Sequence, residues 1–194
     1  MNRRGLVAVI GAWALSFRTA AAPRRVAGFT TAETARIDQL LKLIQQRLDQ
    51  SPATAEARWK AMARIEDDAS EQAAIGAVRT MAERMRLDPD IAIRFAQAQI
   101  DAGKIIQTAR HREWAAHSGI APARQSTAGV FHASTPEPAF SSALLRALRD
   151  SLAVLRRRGS RGLLDARAAD LIHVGGPDLL AGQAALKPLY EIAN

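Results

Sequence analysis

Cysteine is absent from all 194 residues. That excludes disulfides, thiolate catalysis and cysteine-ligated metals, so stability must come from the core alone. Aromatic residues make up only 5% of the chain, while apolar residues reach 48%. The apolar share is carried mainly by Ala, Leu and Ile, which favour helix over strand. No stretch alternates apolar and polar residues as a half-buried strand does. No internal repeat is present, and no glycine-rich phosphate loop precedes a helix; "GGPD" (Gly175 to Asp178) reads as a turn. The net charge is +8, but no run of Lys and Arg is interleaved with aromatics. Nucleic acid is therefore not the expected partner. "RRR" at Arg156 to Arg158 reads instead as the basic C-terminal end of a helix.

The first 22 residues have the order of a secretory leader. "MNRR" is a basic start, and "GLVAVIGAWALSF" (Gly5 to Phe17) is an apolar run too short to span a bilayer. "TAAA" (Thr19 to Ala22) supplies small residues for cleavage after Ala21 or Ala22. Arg3-Arg4-Gly5-Leu6-Val7 is also a loose twin-arginine pattern, and an uncleaved membrane anchor is the other reading. The expected division is a signal peptide over 1–22 and one helical domain over 23–194. The mature domain would be periplasmic or secreted, with no stable membrane insertion. Cleavage removes Arg3, Arg4 and Arg18, leaving a modest +5 of the +8.

Helical signals fill the remainder. Thr30-x-x-Glu33 is a capping box, followed by Ile37, Leu40, Leu41, Ile44 and Leu48 at helical spacing to about Asp49. Ser51-Pro52 predicts a restart, giving a short second helix to about Ala63. Asp68-x-x-Glu71 opens a third, with Ile75, Val78, Met81, Ala82 and Met85 on one face. Asp88-Pro89 opens a long fourth helix to about Trp114. Ser118 to Pro138 reads as a loop. Thr135-Pro136 starts a fifth helix carrying Leu144, Leu148, Leu152 and Leu155, ended by "RRRGSRG". Two weaker helices, Leu163 to His173 and Pro177 to about Ile192, complete the chain. The expected architecture is all-α, a single-domain helical bundle with one long central helix.

Polar residues on apolar faces narrow the chemistry. Arg47 flanks the buried stripe of the first helix. On the long helix Phe95, Ala102, Ile106 and Ala109 form the inner face, and Gln99, Gly103 and Gln107 run along its edge at four-residue spacing. Unpaired buried amides cost about 1–3 kcal/mol each, so these glutamines bond to each other, to backbone, or to a ligand. A cleft holding one arginine and a glutamine suits a small carboxylate. The four histidines, His111, His117, His132 and His173, show no metal-ligand spacing, and no Ser-His-Asp set can be assembled.

The stretches "QRLDQSPATAEARWKAMARIEDDASEQ" and "LDPDIAIRFAQAQIDAGKIIQTARHREW" resemble the helical (AroQ-type) chorismate mutases, in particular their exported subclass. The shared features are an Arg-Leu ending the first helix, a basic residue before Trp59, an Ile-x-Asp corner, Asp-Pro opening the long helix and a Gln-Ile within it. "LLDARAADLI" and "LLAGQAALKPLYEIA" resemble the subclass's terminal helices. The resemblance implies an isomerase that rearranges chorismate to prephenate by a concerted pericyclic shift, with no cofactor and no metal. The exported subclass tends to form homodimers.

Carried over by position, the resemblance makes Arg47 the carboxylate-binding arginine and Asp67 the acid near the substrate hydroxyl. Gln107 becomes the residue facing the ether oxygen, and Arg58, in the place of the family's lysine, is the catalytic cation that shares the ether-oxygen role with it. Gly103 would leave room for the larger Arg58 headgroup. Four positions depart: Ser70 where an arginine is expected, Ala74 for Gln or Glu, Gly103 for a hydroxyl residue, and about Glu137 for a further arginine. Arg79, Arg94 and Arg110 are the other cations that could complete the site. A homologue with impaired catalysis, acting as a small-acid binder or interaction protein, is the alternative this incomplete set leaves open.

Overall fold

Thr30 opens the first helix as its sequence predicts. Its hydroxyl accepts the Glu33 N–H at 3.2 Å while the Glu33 carboxylate accepts the Thr30 N–H at 2.8 Å. The Thr30 N–H and then Arg157, which ion-pairs with Glu33, hold this carboxyl down at about 2. The computed structural model describes residues 28–118 and 137–194; the leader, and most of the stretch read as a loop, lie outside these. The described residues form six helices and no strand: α1 (Thr31–Lys60), α2 (Asp68–Arg84), α3 (Pro89–Ser118), α4 (Glu137–Leu155), α5 (Ser160–Leu171) and α6 (Leu179–Ile192). A 3-10 turn at Gly176–Asp178 precedes α6. None of these helices is long and apolar enough to cross a membrane.

The expected break at Ser51-Pro52 does not occur, and α1 runs through Pro52 for 30 residues. Proline inside a helix removes one backbone hydrogen bond and crowds the carbonyl four residues back. Two features carry the helix across. Ser51 Oγ donates to the Arg47 carbonyl and Thr54 Oγ1 to the Gln50 carbonyl, both at 3.2 Å. Leu48 and Ala55, seven residues apart on one face, are both buried. Packing of that face outweighs the local penalty. The bundle thus has two helices of 30 residues, α1 and α3, where one was expected.

α3 is the hub, packing against α1, α2 and α6. Asp88 caps it by accepting the Asp90 N–H at 2.9 Å. Phe95, Ala102 and Ile106 are buried as the periodicity predicts, and Gln99, Gly103 and Gln107 lie deeper than an edge, being buried with them. α2 lies over α3 and α4 and buries only Val78 and Ala82. α5 begins three residues earlier than expected. Gly159 takes the left-handed conformation at φ 84°, and buried Ser160 donates its Oγ–H to the Leu155 carbonyl.

Gly182 on α6 marks a close approach. A Cβ there would lie 2.4 Å from Val174 Cγ2, a contact that real Cβ atoms do not make. Gly182→Ala gains helix propensity but forces Val174 aside, and overpacking of this kind costs about 1–3 kcal/mol. The expected net result is a loss of about 1 kcal/mol of stability, read from chemical denaturation. A gain would mean that Val174 moves freely.

Tyr190, the chain's single tyrosine, gives a clean optical probe of the α5–α6 contact. Burial first, and then its hydrogen bond to Asp165 at 2.8 Å, push its phenol up to about 12. The folded state favours the protonated form. This contribution is present below the ordinary tyrosine range near 10 and is lost as pH rises towards about 12. Phenolate absorbance should therefore stay low until well above pH 10, then rise as the fold loosens. A titration near pH 10 in the folded chain would contradict this packing.

Candidate active site

The site is built where α1, α2 and α3 meet. Arg47 projects from α1 and is half-buried. It lines a pocket of about 260 Å³ with Ala74 and Met81 of α2, Phe95 and Gln99 of α3, and Leu144 of α4. The arginine read from sequence as the flank of an apolar stripe thus sits at the wall of a cavity. Arg58 and Gln107 do not line this pocket.

Gln107 lies two turns from Gln99 along α3 and is buried. Its Nε2 and the Ser51 hydroxyl flank Gly103, at 3.7 and 3.5 Å from where a Cβ would stand. Those are ordinary contacts, so a side chain fits at 103 and crowding does not enforce the glycine. Gln107 Oε1 is buried without a hydrogen-bond partner. An amide oxygen left in this state is a cost to the free protein.

Arg58 does something the sequence did not predict. Its Nη1 donates to the carbonyls of Arg64 and Ile65, the latter at 2.9 Å, and so holds the turn between α1 and α2. Gly103 therefore faces Ser51 and Gln107, and the Arg58 headgroup is engaged elsewhere. Asp67 is the N-cap of α2, accepting the Ser70 N–H at 3.1 Å and the Ser70 hydroxyl at 2.7 Å. These bonds hold its carboxyl below the usual range, the Ser70 hydroxyl most strongly, with a smaller contribution from the Arg58 charge. Serine at 70 thus completes a cap where an arginine was expected.

Sequence reasoning missed Lys104. Its ammonium bridges Glu71 of α2 at 2.6 Å, with both side chains largely shielded. The hydrogen bond to Glu71 is the main cause that raises the Lys104 ammonium above its ordinary value. No local pattern could reveal the pair, because its partners are 33 residues apart. Arg110 is likewise committed, to Asp178 at 2.8 Å and to Glu113. Arg79 and Arg94 are exposed. Among the described residues no group of three His, Asp or Glu could hold a metal ion. His111 instead packs with Trp59 and Trp114, its Nε2 lying 2.9 Å from the Ala55 carbonyl.

This arrangement of helices has counterparts among solved structures. The chorismate mutase from Burkholderia thailandensis matches with a TM-score of 0.67 and 25% identity, over 80% of this chain and 99% of that one. The chain has a chorismate mutase fold. The chorismate mutase from Burkholderia phymatum agrees at a TM-score of 0.66 and 24% identity, over 81% of this chain and 98% of that one. No family profile and no curated protein matches the sequence. The chorismate mutase fold gives the all-α bundle a known counterpart over nearly the whole length of those enzymes, α1 and α3 forming its long central pair.

Proposed function

We propose that this chain is an exported chorismate mutase that converts chorismate to prephenate without a cofactor. The observation that carries the reading is the likeness to the Burkholderia thailandensis enzyme over 99% of that chain. Two features of the site support it. Arg47 stands half-buried at the pocket wall, where a guanidinium can pair with a carboxylate. Gln107 holds a buried amide on the adjoining face of α3.

The chemistry asks little of the protein beyond shape and charge. The rearrangement is concerted and forms no covalent intermediate. A catalyst must hold a compact conformer and stabilise the negative charge that grows on the ether oxygen. In this reading Arg47 pairs with a substrate carboxylate, and Gln107 donates its amide N–H to the ether oxygen. Arg58 and Asp67 shape the α1–α2 turn beside them, and the substrate hydroxyl meets Asp67. The 1–22 leader would carry the protein to the periplasm or beyond, and its functional form would be a homodimer. The deciding measurement is chorismate consumption by the purified chain beginning at Pro23. A rate no faster than buffer would sink the catalytic reading. N-terminal sequencing of protein from the native host tests export, with Ala22 or Pro23 expected first and Met1 the contrary result.

The second reading is a homologue that binds small acids without turning them over. It is favoured by the commitment of Arg58 to the Arg64 and Ile65 carbonyls, together with Ser70 in place of a cation. The same preparation separates the two. Thermal protection by chorismate with no turnover selects the binder.

A further inference from the structure

We infer that Lys104 is the cation for the second carboxylate of the substrate, taking the place that Ser70 leaves open. This rests on the reading of the Arg47 pocket as the site of chorismate or a like dicarboxylate, and it applies to a catalyst and to a binder alike. Arg47 can pair with one carboxylate. The other needs a second cation, and the first turn of α2 supplies none at position 70, where Ser70 is engaged in the Asp67 cap. Lys104 brings a cation to that same turn from α3. Its ammonium lies 2.6 Å from the carboxylate of Glu71, the residue that follows Ser70. The other cations fall away: Arg110 is held by Asp178 and Glu113, and Arg79 and Arg94 are exposed.

Helix geometry sets the pair at the end of the pocket. Ile75 of α2 and Ile100 of α3 both line it. Glu71 and Lys104 each stand four residues from these on the same helix faces, about one turn of 5.4 Å further on. Lys104 also directly follows Gly103 and precedes Gln107 by one turn, so it adjoins the amide assigned to the ether oxygen. Its side chain is 25% exposed, and a charge shielded in this way is weakened little by salt. Glu71 meets it with both carboxylate oxygens, at 2.6 and 2.7 Å. An ammonium has three donors, so one remains for an anion. The bond to Glu71 first, and then the charges of Glu71, Asp101 and Glu66, outweigh desolvation and keep the ammonium charged.

The test is calorimetric titration of the full chain with prephenate, a dicarboxylate that the reaction does not consume, and with shikimate, a ring acid that has one carboxylate. Lys104→Met should weaken prephenate by about tenfold or more, the effect of losing one charged hydrogen bond, and leave shikimate unchanged. Lys104→Arg should keep the native preference for prephenate. A merely structural ion pair behaves differently, because a loosened α2 weakens both acids together. That shared loss would overturn the assignment, and so would unchanged prephenate affinity in Lys104→Met. Equal affinity of the unaltered chain for the two acids would overturn it without any variant. Lys104→Gln is read in the same way where Lys104→Met does not fold. Chorismate turnover is measured separately: its absence in the unaltered chain sinks the catalytic reading and leaves the binding role of Lys104 to the titrations.

Discussion

Arg167→Ala is expected to cost about 3 kcal/mol of stability, the lower end of the range for breaking a buried ion pair. Arg167 of α5 is 5% exposed and reaches Asp38 of α1 with two parallel bonds, at 2.6 and 3.0 Å. Its third nitrogen binds Asp170 at 2.6 Å. The hydrogen bond to Asp38 is the main cause that raises the Arg167 guanidinium above its ordinary value. Removing the guanidinium leaves two carboxylates facing each other with no cation between them. The Asp38 side chain is 18% exposed, so water recovers part of the loss, which is why the lower end applies. For a chain of this length the change corresponds to a Tm drop of roughly 6–12 °C. The double variant Asp38→Ala with Arg167→Met should recover much of the loss, because burying an ion pair gains little over a well-packed apolar pair. A loss under about 1 kcal/mol for Arg167→Ala would place the pair with ordinary surface ion pairs.

That ion pair also shows where sequence reading stops. Arg167 and Asp38 are 129 residues apart, and each sits in a helix with several other charges, so nothing local distinguishes them. Local features were readable: the Thr30–Glu33 box, the Leu40 to Leu48 stripe and the Asp88 cap all form as their spacing dictates. Ser51-Pro52 misled because its cap-and-proline pattern is a real start signal. Here the burial of Leu48 and Ala55 overrides it. The candidate site follows the same division. The Gln99–Gly103–Gln107 ladder was visible as a four-residue rhythm, and one of the foreseen outcomes, an amide bonded to backbone, holds for Gln99 Nε2. The use of Arg58 was not visible, because its acceptors are carbonyls in a turn whose path no pattern fixes. Nothing in the sequence singles out Lys104, because its partner Glu71 meets it only where α2 packs on α3.

If the chain is a mutase, Gln107 and Arg58 should fail in different ways. Gln107→Leu removes the amide while keeping its approximate volume. Its Oε1 already lacks a partner, so the unfolding free energy should change by less than about 1 kcal/mol. The ether oxygen, however, would lose a preorganised donor, and kcat should fall by roughly 10²–10³-fold. Arg58→Ala frees the carbonyls of Arg64 and Ile65 and loosens the turn that presents Asp67. That variant should lose about 1–3 kcal/mol of stability and raise KM through a misplaced binding wall. Steady-state chorismate kinetics, run beside thermal unfolding of both variants, separate the two roles. A large kcat loss in Arg58→Ala with an unchanged Tm would return the ether-oxygen role to Arg58. Unchanged kcat in Gln107→Leu would remove Gln107 from the chemistry, leaving its buried amide as a structural cost that the catalytic reading does not explain.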